Sequence, residues 1–143
     1  MRRFPAEWEN QQGILLCFPT NGNDWPGKYS AVQWAFIEFI KKVSLYEEVF
    51  LVVANEKLKV KVTEMMIQAN ISLKKVSFIL QKTNRSWMRD SGPIIVKNNN
   101  KREALQFKFN GWAKYANHQL DKNVPKRVVN FLNIPLTQVT YKG

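Results

Sequence analysis

A single cysteine, Cys17, and a single histidine, His118, are all that 143 residues hold of two versatile side chains. One cysteine closes no internal disulfide and builds no multi-cysteine metal site. It fits a reducing compartment. No apolar run approaches the length of a membrane span, and no apolar stretch follows the basic opening Met1-Arg2-Arg3 as it would in a signal peptide. The chain therefore reads as cytoplasmic, with no membrane partner. Low-complexity tracts, linkers and alignable repeats are missing too, so residues 1–143 read as one domain without an internal boundary. Carboxylates are scarce, 11 Asp and Glu against 22 Lys and Arg, for a net charge of +11. That excess permits contact with a polyanion and repels a cationic ligand unless carboxylates stand at its pocket.

What is present is enough to fold. Hydrophobic residues make up 45% and aromatics 13% of the chain, which excludes disorder and supports a real core. Ile14 to Phe18 reads as a buried strand. Ala31 to Tyr46 reads as a helix, with Val32, Ala35, Phe36, Phe39, Ile40 and Val43 on its apolar face and Ser30 as N-cap. Glu48 to Ala54 is a continuous β-branched and aromatic run, hence a fully buried strand. Asn55 caps a second helix to about Ala69, with Leu58, Val62, Met65, Met66 and Ala69 inward. Val76 to Leu80 is a third strand.

Ile94 to Lys97 and Ala104 to Phe109 flank an Asn-rich turn, the pattern of a β-hairpin. Leu105, Phe107 and Phe109 alternate with polar residues, so that face is expected to be buried. A short helix begins at Asn123 or Pro125, and a strand-like segment from Ile134 to Tyr141 ends the chain. The class is α/β.

Between the third strand and the hairpin lies the densest chemistry, Thr83 to Pro93, with Arg85, Trp87, Arg89 and Asp90 close together. An aromatic face and a carboxylate together hold a planar cation such as a guanidinium, by cation–π attraction and paired N–H bonds. A second reading stands beside this one: Trp87 as core, and Asp90 paired with Arg85 or Arg89 at the surface. Asp24 and Trp25 repeat the carboxylate–aromatic theme in a turn-rich loop, Pro19 to Tyr29, either as a turn and core anchor or as part of a site. Trp112, Tyr115 and His118 mark another polar-aromatic loop.

Cys17 sits in an apolar strand with no cationic neighbour in sequence, the setting of a buried thiol rather than a nucleophile. His118 reads as a loop histidine. Lys57, Lys59, Lys61, Lys74 and Lys75 read as a solvated face, because no nucleic-acid motif accompanies them.

Four ordered stretches resemble the agmatine deiminase and bacterial peptidylarginine deiminase family. Asn84 to Pro93 resembles N-D-x-W-x-R-D-x-G-P, and Phe4-Pro5-Ala6-Glu7-Trp8-Glu9 resembles the opening M-P-A-E-W-E. Phe18-Pro19 with Asp24-Trp25-Pro26 resembles W-P…D-W, and Phe109 to Tyr115 resembles F-N-x-W-G-x-K-Y. The departures are Arg85, where Asp is commoner, and Ala113-Lys114, where Gly-Gly is common.

The resemblance implies a partial pentein fold, roughly its first two β/α units, and hydrolysis of a guanidinium group through a Cys thiouronium intermediate. Agmatine would give N-carbamoylputrescine and ammonia; arginine would give citrulline. It implies no cofactor and no metal, and a small guanidino substrate as the partner. Asp90 takes the catalytic and substrate-anchoring role, with Trp87, Arg89, Asp24, Trp25 and Trp112 as substrate-binding residues. The family's late Cys, H-x-D and E-G-G segments have no counterpart, so the chain reads as the N-terminal part of a deiminase catalytic domain. Alone, it is expected to be inactive and to self-associate. The competing reading is a basic α/β binding module without catalysis.

Overall fold

The computed structural model describes residues 1–111 and 116–140. The chain forms two compact units, one of Gln11–Met88 and one of Met1–Asn10 with Arg89–Gly143.

The Gln11–Met88 unit is a parallel three-stranded sheet with two helices. Strand β2 (Gly13–Cys17) leads through helix α1 (Tyr29–Val43) to β3 (Glu48–Val53), then through α2 (Glu56–Gln68) to β4 (Val76–Leu80). The sheet order is β2-β3-β4, with Leu16 opposite Leu51 and Leu51 opposite Phe78. Parallel strands need crossovers, and the two helices supply them. β3 is central, and Val49 to Val53 are buried without a break, as its uninterrupted apolar run predicts. Val49, Leu51 and Val53 join Phe18, Ile37, Ile40, Val62 and Met66 in one core cluster. The alternate row Cys17, Val52 and Ile79 shares the opposite face and is also buried. At Gly13 an added Cβ would lie 2.3 Å from the Glu48 carbonyl oxygen, so the first rung of the β2–β3 ladder requires glycine.

Helix α2 begins where its sequence predicts, the Asn55 side chain accepting a hydrogen bond from the Leu58 amide at 2.9 Å. Helix α1 departs from expectation twice. It starts at Tyr29, so Ser30 is inside the helix and caps nothing. The cause is the turn before it: the Lys28 amide bonds the Trp25 carbonyl, with Pro26 and positive-φ Gly27 between, and this turn feeds the chain directly into the helix. The buried stripe is Gln33, Ile37 and Ile40, whereas Ala35 and Phe39 are exposed. Gln33 is tolerated there because its amide donates to the Pro19 carbonyl and accepts from Lys61 Nζ, so both polar atoms of its side chain are satisfied.

The second unit is held differently. Strand β1 (Arg2–Arg3) pairs antiparallel with β5 (Ile94–Asn98), which pairs antiparallel with β6 (Lys101–Phe107). Helix α4 (Val124–Leu132) then leads to β7 (Leu136–Val139), parallel to β6. The hairpin turn is Asn99-Asn100, both at positive φ, the two-residue turn whose twist matches its strands. Val96, Ala104, Val124, Val128 and Val129 supply the buried apolar surface.

The alternation expected in β6 is not followed. Phe107 is half exposed, while neighbouring Glu103 and Ala104 are both buried. An ionised carboxylate is tolerated inside only with donors around it. Glu103 has Arg2 Nη2 at 2.7 Å, Asn98 Nδ2 at 3.0 Å and Thr137 Oγ1 at 2.5 Å. These donors hold the Glu103 carboxyl down at about 2, with the Thr137 bond the largest influence and Arg2 next. Glu9 does similar work nearby, accepting from Arg3 Nη2 at 2.8 Å, Lys97 Nζ at 2.9 Å and the Ala6 amide at 2.9 Å.

Candidate functional site

The segment after β4 leaves the sheet at its carboxyl end, where ligands bind in open α/β sheets. It does not remain a loop throughout: Met88–Ser91 forms one helical turn, α3. The passage from one unit to the other falls between Met88 and Arg89, so Trp87 belongs with the parallel sheet and Asp90 with the hairpin unit.

In the parallel-sheet unit the loop after β2 and the loop after β4 meet at a charge pair. Asn21 accepts from the Asn23 amide and opens a short 3-10 turn, Gly22–Asp24. Asn21 Nδ2 also donates to Asp24 Oδ1 at 3.3 Å. Across 61 residues of sequence, Arg85 Nη1 donates to the same oxygen. The pair is sheltered, with side-chain exposures of 18% for Arg85 and 7% for Asp24. The Arg85 guanidinium carbon stands 5.7 Å from the centroid of the Trp87 ring. Carboxylate and aromatic face thus hold one planar cation between them. Asp24 is a partner for Arg85 that the sequence reading did not connect with it.

Trp25 follows the 3-10 turn, and its indole Nε1 is buried with no hydrogen-bond partner among the described residues. Cys17 is buried, with Sγ 3.4 Å from Thr83 Oγ1 and 3.8 Å from the carbonyl oxygens of Phe18 and Arg85. These neighbours are one hydroxyl and two backbone carbonyls.

In the hairpin unit, Asp90 and Arg89 line a cavity of about 250 Å³ with Ile94, Phe107, Lys108 and Lys122. Half-exposed Phe107 finds its place here. Phe109 meets His118 edge to face, ring centroids 5.9 Å apart, so the lone histidine packs against an aromatic ring in its loop. Trp112 lies outside the described residues. No cluster of His, Cys, Asp or Glu able to hold a metal exists among the described residues. Among the described residues no helix is long and apolar enough to cross a membrane.

Arg85 is the residue that sequence reasoning undervalued. Its partner lies 61 positions away, and the signal available was its departure from the motif it interrupts.

The fold is a partial pentein. The chain matches C. jejuni agmatine deiminase, solved with substrate bound, at a TM-score of 0.82 and 26% identity, covering 99% of this chain and 40% of that one. It shares the fold of the agmatine deiminase of Enterococcus faecalis, with a TM-score of 0.83 at 21% identity over 96% of this chain and 38% of the other. In sequence it is 30% identical over 135 residues to a Yersinia pestis protein named "Putative agmatine deiminase", covering 90% of this chain and 35% of that protein. The model of the Porphyromonas-type peptidyl-arginine deiminase family matches residues 3–141. The chain belongs to that family, and it spans about a third of the length of the curated relatives it matches.

Proposed function

We propose that this chain supplies the N-terminal part of the catalytic domain of a guanidine deiminase, its two compact units forming part of one pentein. The family match over residues 3–141 carries the reading. The chemistry agrees with it. Hydrolysing a guanidinium requires a nucleophile for the central carbon, an acid for the leaving ammonia, a base for water and carboxylates to hold the cation. Asp90 is the anchoring carboxylate; it lines its cavity together with Arg89, Lys108 and Lys122. Trp87, Asp24, Trp25 and Trp112 are substrate-binding residues in this reading because of the family motifs in which they stand. The substrate is a small guanidino compound, agmatine or an arginine. The thiol that forms the thiouronium is not Cys17, which is buried in β2.

A basic binding module is the other reading, and three of its five lysines have local partners. Lys59 pairs with Glu56, Lys61 donates to Gln33, and Lys75 donates to the Leu45 carbonyl.

The test is ammonia release from agmatine, free arginine and an arginyl peptide. It is run on the 143-residue chain and on the longest open reading frame containing it. The chain alone is expected to release none. The longer product is expected to be active, and Asp90→Asn to lower its kcat/KM by at least about tenfold, the loss of one set of charge-assisted bonds. Wild-type turnover by a folded Asp90→Asn enzyme removes Asp90 from the site. Ammonia release by the short chain that vanishes in Cys17→Ser would make Cys17 the nucleophile.

A further inference from the structure

We propose that Asn110-Gly111 is a self-modifying site, at which the chain converts the Asn110 side-chain amide to a carboxylate through a cyclic imide, with water as the only co-reactant. The pair Asn-Gly occurs at two places in the sequence, Asn21-Gly22 and Asn110-Gly111, and the fold treats them differently.

The chemistry needs one approach. The glycine amide nitrogen attacks the asparagine side-chain carbonyl carbon, Cγ. A bond forms between that nitrogen and Cγ, the bond from Cγ to Nδ2 breaks, and Nδ2 leaves as ammonia with a proton replacing the one that the glycine amide gives up. Water then opens the imide ring at either carbonyl, which leaves an aspartyl or an isoaspartyl link. Glycine favours the attack because it has no Cβ to crowd the incoming carbonyl and no preferred sign of φ.

At position 110 the fold does not oppose this approach. Asn110 is exposed and lies past the end of β6, outside any helix or strand. Gly111 sits at φ 87, a conformation that residues with a Cβ rarely adopt. Neither residue is held by a hydrogen bond to another described residue. The side chain can therefore turn Cγ onto the Gly111 nitrogen, and water has access to the ring.

At position 21 the same pair is tied down. Asn21 Oδ1 accepts from the Asn23 amide at 3.1 Å, and Nδ2 donates to Asp24 Oδ1 at 3.3 Å. Gly22 opens the 3-10 turn. Both side-chain bonds must break before Cγ can swing onto the Gly22 nitrogen, so the fold adds to the barrier there. Conversion at position 110 lowers the net charge of +11 by one. It also adds a carboxylate next in sequence to Phe109, which lines the cavity with Arg89, Lys108 and Lys122.

The test uses the unmodified 143-residue chain, incubated without substrate in 18O-labelled water at neutral and at mildly alkaline pH. Peptide mass mapping reads each site by the exchange of its amide nitrogen for labelled oxygen, and chromatography separates aspartyl from isoaspartyl peptides. Position 110 is expected to convert at least about tenfold faster than position 21, a barrier difference of about 1.4 kcal/mol. Isoaspartyl product should be present, and the rate should rise with pH as the attacking nitrogen loses its proton. In urea the two sites should convert at nearly the same rate, because the fold no longer distinguishes them.

No conversion at position 110, or equal or faster conversion at position 21 in the folded chain, overturns the proposal. So does a purely aspartyl product at position 110, the mark of direct hydrolysis. A gap that persists in urea assigns the difference to neighbouring side chains and overturns it too. The ammonia released needs no guanidino compound and ends at one per site. A failure to find deiminase turnover therefore counts against the enzyme reading alone, and a failure to find this conversion leaves that reading untouched.

Discussion

The two units reach a folded state by different means. In Gln11–Met88, the parallel sheet and two helices enclose one apolar cluster that includes Phe18, Ile37, Ile40, Leu51, Val62 and Met66. In Met1–Asn10 with Arg89–Gly143, the buried apolar side chains are mostly valines and an alanine, and buried Glu103 stands among them. Charge pairs anchor the second unit: Arg2 to Glu103, and Arg3 and Lys97 to Glu9. The difference is one of tuning. A unit held by apolar area responds to volume and little to pH, whereas a unit whose carboxylates carry donors responds to acid. The candidate residues divide accordingly, Asp24, Arg85 and Trp87 on the apolar-cored unit and Asp90 on the ionic one.

Truncating the apolar core should give the largest effect. Leu51 is fully buried in the central strand, so Leu51→Ala is expected to cost about 2–5 kcal/mol. Urea denaturation followed by residue-resolved NMR checks this. Amides of Gln11–Met88 should lose protection first; uniform loss across both units would mean that they unfold together and the contrast fails.

Acid should act in the opposite place. The Glu103 carboxyl is held at about 2, below its ordinary value of 4.5. A lowered carboxyl stabilises the fold fully above its unfolded value, and that contribution is lost as pH falls from about 4.5 through about 2. Hydrogen exchange of β5, β6 and β7 should therefore accelerate across that window more than exchange of β3. Glu103→Gln should flatten the response, and an unchanged pH profile in Glu103→Gln would show that Glu103 does not set it.

The smallest effect sharpens the comparison within the hairpin. Asn100 sits at φ 64, where alanine is strained by roughly 1–2 kcal/mol and glycine is not. Asn100→Ala should lower the melting temperature of the hairpin unit, and Asn100→Gly should leave it within experimental scatter. Equal losses from both would place the side chain of Asn100, rather than its backbone, in control.

The elements were legible in the sequence wherever one period dominated. The unbroken run Val49 to Val53 is a central strand because every position is buried. Asn55 caps α2 because a short polar side chain before a helical run reaches the free amides. The Asn-rich turn is a hairpin because asparagine tolerates positive φ. The family was legible as well, because four motifs in order are a specific signal and do not depend on tertiary contacts.

Only the tertiary structure decided what the sequence left open. Gln33 occupies the α1 core stripe because Pro19 and Lys61, distant in sequence, satisfy its amide. Glu103 is inside because Arg2, Asn98 and Thr137 come from three other segments to meet it. Arg85 turns to Asp24, a residue that hydrophobic periodicity and motif spacing do not connect to it. Local pattern fixes which residues form a strand or helix, since propensity and burial period act over a few positions. The partner of a buried charge is chosen by which donors and acceptors the folded chain brings within about 3 Å, and that depends on the whole path of the backbone.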